Sequence, residues 1–241
     1  MSLPLGPYLS PVLTTTSATN APPPTRTSPT TPSYQQHGPL RLFVRGRLRR
    51  ALCGRIESVG LPVLERPLMV LDPGHPLAPP PLPDGVTIRA LTADDPALPA
   101  ALALPRLAFA AATSTADRPE LRLITEELTQ DGTVETVRPS LRAGHKVLVA
   151  ALAPDGTPLA CGHYHPANGT TEISGVGTLP TARRQGLAAA VTAALATHAR
   201  NHGVRTVFLA YAEDRVARIY ARLGFRSADT TLLIANQPAR S

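Results

Sequence analysis

The sequence predicts an α/β (α+β) fold built on a mixed, mostly antiparallel central sheet with helices on both faces. Three features of its 241 residues carry that expectation. Beyond residue 84, apolar runs and alternations of strand length recur. Alanine- and leucine-rich segments of helical length are interleaved with them. Turns bearing glycine or proline punctuate most of the junctions. Hydrophobic residues make up 43% of the chain, enough for a core, while many of the 27 prolines fall in the N-terminal third, where packing is hardest to achieve.

The elements can be justified in order. Val86-Thr87-Ile88-Arg89-Ala90-Leu91 alternates as a strand. Thr92 to Pro96 supplies N-cap residues with proline in the first turn, and an alanine- and leucine-rich helix follows towards Ala112, shortened or kinked by Pro99 and Pro105. Leu121, Ile124 and Leu128 share one face of a second helix, which Gly132 ends. Residues 146–153 and 159–164 read as core strands about the hairpin turn Pro154-Asp155-Gly156, and Ala167-Asn168-Gly169 turns the chain into a strand over 170–179. These three strands predict an antiparallel meander. A long helix to about Asn201, closed by His202-Gly203, then leads to a strand over 204–211, a helix over 215–223 and a last strand over 225–235.

Ahead of this lies different material. Residues 1–39 are rich in Pro, Thr and Ser without periodicity, which predicts a disordered tail. Residues 40–83 read as a basic helix-strand extension and a proline-rich linker. In it Arg41, Arg45, Arg47, Arg49, Arg50 and Arg55 alternate with leucines, a pattern that suits an acidic surface or a helix docked by its leucines. A helix-stop-strand spacing around Gly60 matches that around Gly224, so a degenerate second copy of part of the domain is open. The domain itself is expected over 84–237.

The net charge of +7 is nearly all arginine, with Lys146 the sole lysine. Two cysteines make no disulfide framework, and no apolar run approaches the length of a membrane span, so a soluble cytoplasmic protein with no membrane association is expected.

The segment bearing chemistry follows the strand ending at Leu179. A strand, a loop with closely spaced small residues and then a helix presents backbone N–H groups and the positive end of a helix dipole to an anion. Val176-Gly177-Thr178-Leu179-Pro180-Thr181-Ala182-Arg183-Arg184-Gln185-Gly186-Leu187-Ala188 resembles the acetyl-CoA signature of GNAT superfamily N-acetyltransferases, (Gln or Arg)-x-x-Gly-x-(Gly or Ala), through Arg183, Gly186 and Ala188. Downstream, Tyr220-Ala221-Arg222-Leu223-Gly224-Phe225 resembles the family's Tyr-x-x-x-Gly-Phe. Glu213 stands where members commonly have asparagine.

The resemblance implies a GNAT-like fold and an acyltransferase moving an acetyl group from acetyl-CoA to a primary amine in a ternary complex, with a non-catalytic acyl-CoA-binding regulatory module as the alternative. It implies that the backbone of Val176, Gly177 and Thr178 pairs with the pantetheine arm. Arg183, Arg184, Gln185, Gly186, Leu187 and Ala188 would hold the pyrophosphate, with the two arginines either contacting it or solvated. Tyr220 would be the general acid, or a packed core residue. Glu172, on the strand entering the loop, would be the general base, or a surface residue. Cys161, His163 and His165 alternate on one strand face but span too much strand for one ion, so no metal is expected; they remain candidates to line an acceptor cleft. The acceptor, a small-molecule or peptide amine, would enter a cleft shaped by residues 94–145, where Glu120, Glu126, Glu127, Asp131 and Glu135 either attract a cation or form a wet helix face. Nucleic acid is not expected as a partner of the domain, and homodimerisation stays open.

Overall fold

A computed structural model describes residues 40–42, 53–58, 63–110 and 117–234. The expected tail 1–39 and the arginines at 45, 47, 49 and 50 lie outside the described residues. The chain divides into two compact units, residues 66–229 and residues 1–65 with 230–241.

The elements are β1 (Leu40–Leu42), β2 (Val63–Leu71), β3 (Thr87–Ala90), α1 (Leu98–Ala110), α2 (Arg118–Gln130), α3 (Thr133–Arg142), β4 (Val147–Leu152), β5 (Pro158–Tyr164) and β6 (Thr170–Thr178). After β6 come a 3-10 turn (Pro180–Ala182), α4 (Leu187–Asn201), β7 (Thr206–Ala210), α5 (Asp214–Arg222) and β8 (Phe225–Ile234). In the smaller unit β1 pairs antiparallel with the end of β8, Leu40 opposite Ile234, and residues 53–57 form a short helix. The leading residues of the basic extension are thus strand rather than helix.

In the unit 66–229 the strands follow the order β8-β2-β7-β6-β5-β4-β3. The β3-β4-β5-β6 run is antiparallel, as the turn chemistry predicts. The described exception is the parallel pairing of β6 with β7, made possible by the α4 crossover. β2, expected in the extension, pairs antiparallel with β7, Leu68 opposite Ala210, so the compact unit begins at Arg66.

Helices cover both faces because small residues let them approach. A Cβ added to Gly162 would stand 2.9 Å from Leu195 Cδ1 of α4. One added to Gly177 would stand 2.9 Å from Ala108 Cβ of α1, on the other face. The alanines of α4 do the same work, with Leu195, Ala196 and Ala199 fully buried, and Leu98, Ala101 and Leu104 are their equivalents in α1. Burying a leucine in such an interface stabilises by about 1.5–3 kcal/mol.

Pro105 does not end α1, which runs on to Ala110. Proline lacks the N–H that would bond the carbonyl four residues back, and the orphaned Ala101 oxygen instead accepts from the Cys161 thiol at 3.2 Å. At the other end Asp95 Oδ1 accepts from the Ala97 amide at 2.9 Å, and Arg89 clamps the same carboxylate. The Arg89 hydrogen bonds hold the Asp95 carboxyl below the usual range against the opposing effect of burial.

The sequence reading has two helices before β4, and the structure has three. Gly132, expected as a stop, is the left-handed N-cap (φ 78°) of α3. Asp131 Oδ1 accepts the Thr133 amide at 2.8 Å and turns the chain straight from α2 into α3.

Candidate active site

The site starts at a defect in the sheet. Between β5 and β6 the register runs Cys161 opposite Gly177 and then His163 opposite Ser174, so β6 carries an extra residue, a bulge, at Gly175 and Val176. Gly175 has φ 63°, and a Cβ there would stand 2.7 Å from His163 Cε1, which only glycine avoids. On its other side β6 pairs with β7 only over Thr170–Glu172. Beyond Glu172 the two strands part, and the β7-side edge of Ile173 to Thr178 has no ladder partner among the described pairings. Val176, Gly177 and Thr178 lie on that edge, while Glu172 is half-buried at the point of divergence, opposite Phe208.

Directly after β6 the backbone makes a cradle. Leu179 is fully buried and anchors the strand end, and Pro180–Ala182 make a single 3-10 turn. Arg184 (φ 68°) and Gly186 (φ 78°) then take left-handed conformations on either side of Gln185. Alternation of this kind turns successive N–H groups towards one point, a nest for an anion. Gly186 is the N-cap of α4, whose first intrahelical bond runs from Ala190 N to Gly186 O at 3.0 Å. The amides of Leu187, Ala188 and Ala189 are therefore left without helical acceptors. This geometry fits a pyrophosphate without recourse to side chains. Arg184, Gln185 and Gly186 are exposed, and Leu187 is buried and fixes the helix start. The Arg183 guanidinium donates to the Ala108 carbonyl at 3.1 Å, tying the loop to the end of α1. Pro80 borders the cradle, its Cγ 3.1 Å from where a Gly186 Cβ would be.

Tyr220 enters from α5. It is 8% exposed, its ring meets Phe225 edge-on at 6.0 Å, and burial pushes its hydroxyl up to about 12. A phenol in that condition stays protonated at neutral pH. Glu213, at the position where asparagine is common, is the N-cap residue of α5.

The strand-face trio separates. Cys161 is fully buried, donates to Ala101, and burial pushes its thiol up to about 12, so it is neither a thiolate nucleophile nor a ligand. His163 packs on the bulge and its ring meets that of His165 at 5.4 Å. Among the described residues no group of three His, Cys, Asp or Glu side chains is placed to hold a metal. The acidic residues of the helices are engaged locally: Glu127 with Arg106 at 3.3 Å, Glu135 with Arg138 at 2.8 Å, Glu126 with Arg122 at 3.7 Å, and Glu120 with the Asp117 amide at 2.9 Å. The contact of His163 with Gly175 was not legible in the sequence, because the bulge shifts strand register by one residue. The glycine pair flanking Val176 is its only trace.

The site thus combines a bulged strand that parts from its parallel neighbour with a backbone nest at a helix N-terminus, in an α/β domain. Residues 115–225 match the family model described as Acetyltransferase (GNAT) family. Those residues carry the pattern of a GNAT acetyltransferase domain. Among solved structures, a GCN5-related N-acetyltransferase from Kribbella flavida is similar at 27% identity and a TM-score of 0.54, covering 78% of this chain and 65% of its own. A GCN5-related N-acetyltransferase from Sphaerobacter thermophilus shares the fold at 24% identity and a TM-score of 0.52, covering 81% of this chain and 58% of its own. The chain therefore spans less than two thirds of the length of either. No curated protein matches it.

Proposed function

We propose that the protein is an acetyl-CoA-dependent N-acetyltransferase that moves the acetyl group directly to a primary amine in a ternary complex. The observation that carries this reading is the continuity of the open β6 edge with the cradle at Arg184 and Gly186. It supports a ligand that presents amides along the strand and a pyrophosphate at the loop.

In this reading acetyl-CoA supplies the activated thioester. The backbone of Val176 and Thr178 orients its pantetheine arm as a pseudo-strand, and the amides from Arg184 to Ala188 hold the pyrophosphate. An amide at the Gly175–Val176 bulge, freed from the β5 ladder, stabilises the developing oxyanion. Glu172 withdraws the proton of the incoming amine, directly or through water, and Tyr220 returns one to the departing thiolate sulfur. Direct transfer is favoured over an acyl-enzyme because Cys161 is sealed in the core as a neutral thiol. The free cysteines, with no helix among the described residues able to cross a membrane, are compatible with a cytoplasmic location.

Thermal unfolding with and without acetyl-CoA tests this without knowledge of the acceptor. At a hundredfold excess over Kd, binding stabilises by about 2.7 kcal/mol, which is roughly 5–10 °C in Tm for a chain of this size. The shift should disappear in Gly186→Glu, whose carboxylate fills the cradle. A folded protein with no shift at saturating acetyl-CoA contradicts the assignment.

A further inference from the structure

At the end of α4 remote from the cradle lies a cavity of about 540 Å3. A helix of 15 residues places its two ends roughly 20 Å apart, so this cavity is separate from the cradle. Its lining combines the apolar Leu91, Leu141, Val147 and Val204 with a set of titratable side chains. Tyr164 and His198 Nδ1 share a hydrogen bond of 2.8 Å. The His198 and His202 rings stack at 4.0 Å with planes 10° apart. His202 Nδ1 donates to the His198 carbonyl at 2.7 Å, leaving its Nε2 as the free ring nitrogen. Lys146 and Arg142 complete the lining.

The charges do not balance. The one carboxylate lining the cavity, Asp94, is already held by Arg142 at 2.7 Å and faces Arg138 at 3.8 Å. Among the described residues no carboxylate pairs with Lys146. The other ionisable groups near it are the neutral thiol of Cys161 and His165, whose Nδ1 donates to the His145 carbonyl. Burial holds the Lys146 ammonium below its usual range, and burial with the adjacent His202 does the same to His198. The α4 carbonyls that would repel an anion here are themselves capped, since the His202 amide donates to His198 and Ala199, that of Gly203 to Arg200 and that of Val204 to Ala199.

We infer that this cavity is a second binding site, which takes a small carboxylate with a short apolar tail, its carboxylate against Lys146, Arg142 and the stacked histidines and its tail on the leucine and valine side chains. A charge-assisted hydrogen bond to a desolvated ammonium such as that of Lys146 is among the stronger ones available to a protein, and the exposed Arg142 adds a second cation at the mouth. The apolar part of the lining distinguishes such a ligand from inorganic phosphate.

Because Lys146 is the sole lysine, the full chain carrying isotope-labelled lysine gives a single side-chain NMR signal from the cavity. That signal should move saturably with butyrate, and its titration midpoint should rise, whereas sodium chloride at equal ionic strength should leave both almost unchanged. Arg142→Gln should weaken the response roughly tenfold, the loss of one charge-assisted bond. Gly186→Glu, which blocks the cradle, should leave it intact. The inference is overturned if butyrate acts no differently from chloride, if phosphate saturates the signal and butyrate does not, or if Gly186→Glu abolishes the response. None of these outcomes depends on acetyl transfer.

Discussion

Tyr220, proposed above as the general acid, has its protonation state set by its surroundings. Its hydroxyl is desolvated by α5 and Phe225 and pushed up to about 12, so ionisation of this group takes no part in the pH dependence of a rate measured near neutrality. Tyr220→Phe preserves the ring packing and removes the proton. It is expected to lower kcat by about 10²–10⁴-fold while leaving the thermal shift with acetyl-CoA unchanged. An equal loss of that shift would assign the residue to binding instead. The same burial has a consequence for stability. The folded pKa is raised above an unfolded value of ~10, so the contribution is present in full below that pH and is lost as pH rises towards about 12. Asp95 has the opposite sign: its carboxyl is depressed by Arg89, so its share is present above the ordinary carboxylate range and disappears as pH falls through the depressed value.

Among the elements, β6 carries the most information, and its glycines mark where other groups must come close. Gly177 lies beneath Leu104 and Ala108 of α1. Gly177→Val should therefore force α1 away and cost about 1–3 kcal/mol by overpacking, read as a lowered urea midpoint. Gly54→Ala is the control, since a Cβ there meets nothing within 4 Å and alanine is the better helix former. The elements were legible in the sequence where periodicity and turn chemistry agreed. The meander β4-β5-β6 and the helix α4 fall within a residue or so of expectation. α3 was hidden because its leading glycine reads as a stop, whereas Gly132 takes the left-handed cap of the next helix. The signature loop was legible because its glycine answers a backbone requirement at that place in the chain. The bulge was not, since it depends on the register between two strands.

For the whole molecule, the unit begins earlier than its catalytic motifs suggest. β2 lies beside β7, and the proline-rich stretch after it runs along α4, Pro79 and Pro80 lining a shallow cavity with Ala190, Ala193 and Ala194. A chain beginning at residue 84 would expose the β7 edge and that alanine face. It is expected to aggregate or to unfold at a lower temperature than one beginning at 63, which size-exclusion chromatography and thermal unfolding would show. Long-range groupings such as Lys146 with His198 and His202 were invisible in the sequence because the sheet, and no local spacing, brings them together. The short joint between β6 and β7 bears on the order of assembly. β4, β5 and β6 can zip through two tight turns, whereas the three pairs from Thr170 to Glu172 must wait until all of α4 has been laid down as a crossover. The strand that lines the site is thus formed before the gap beside it has a second wall, and a ligand stretched along that edge would meet β7 late, as the final piece to close.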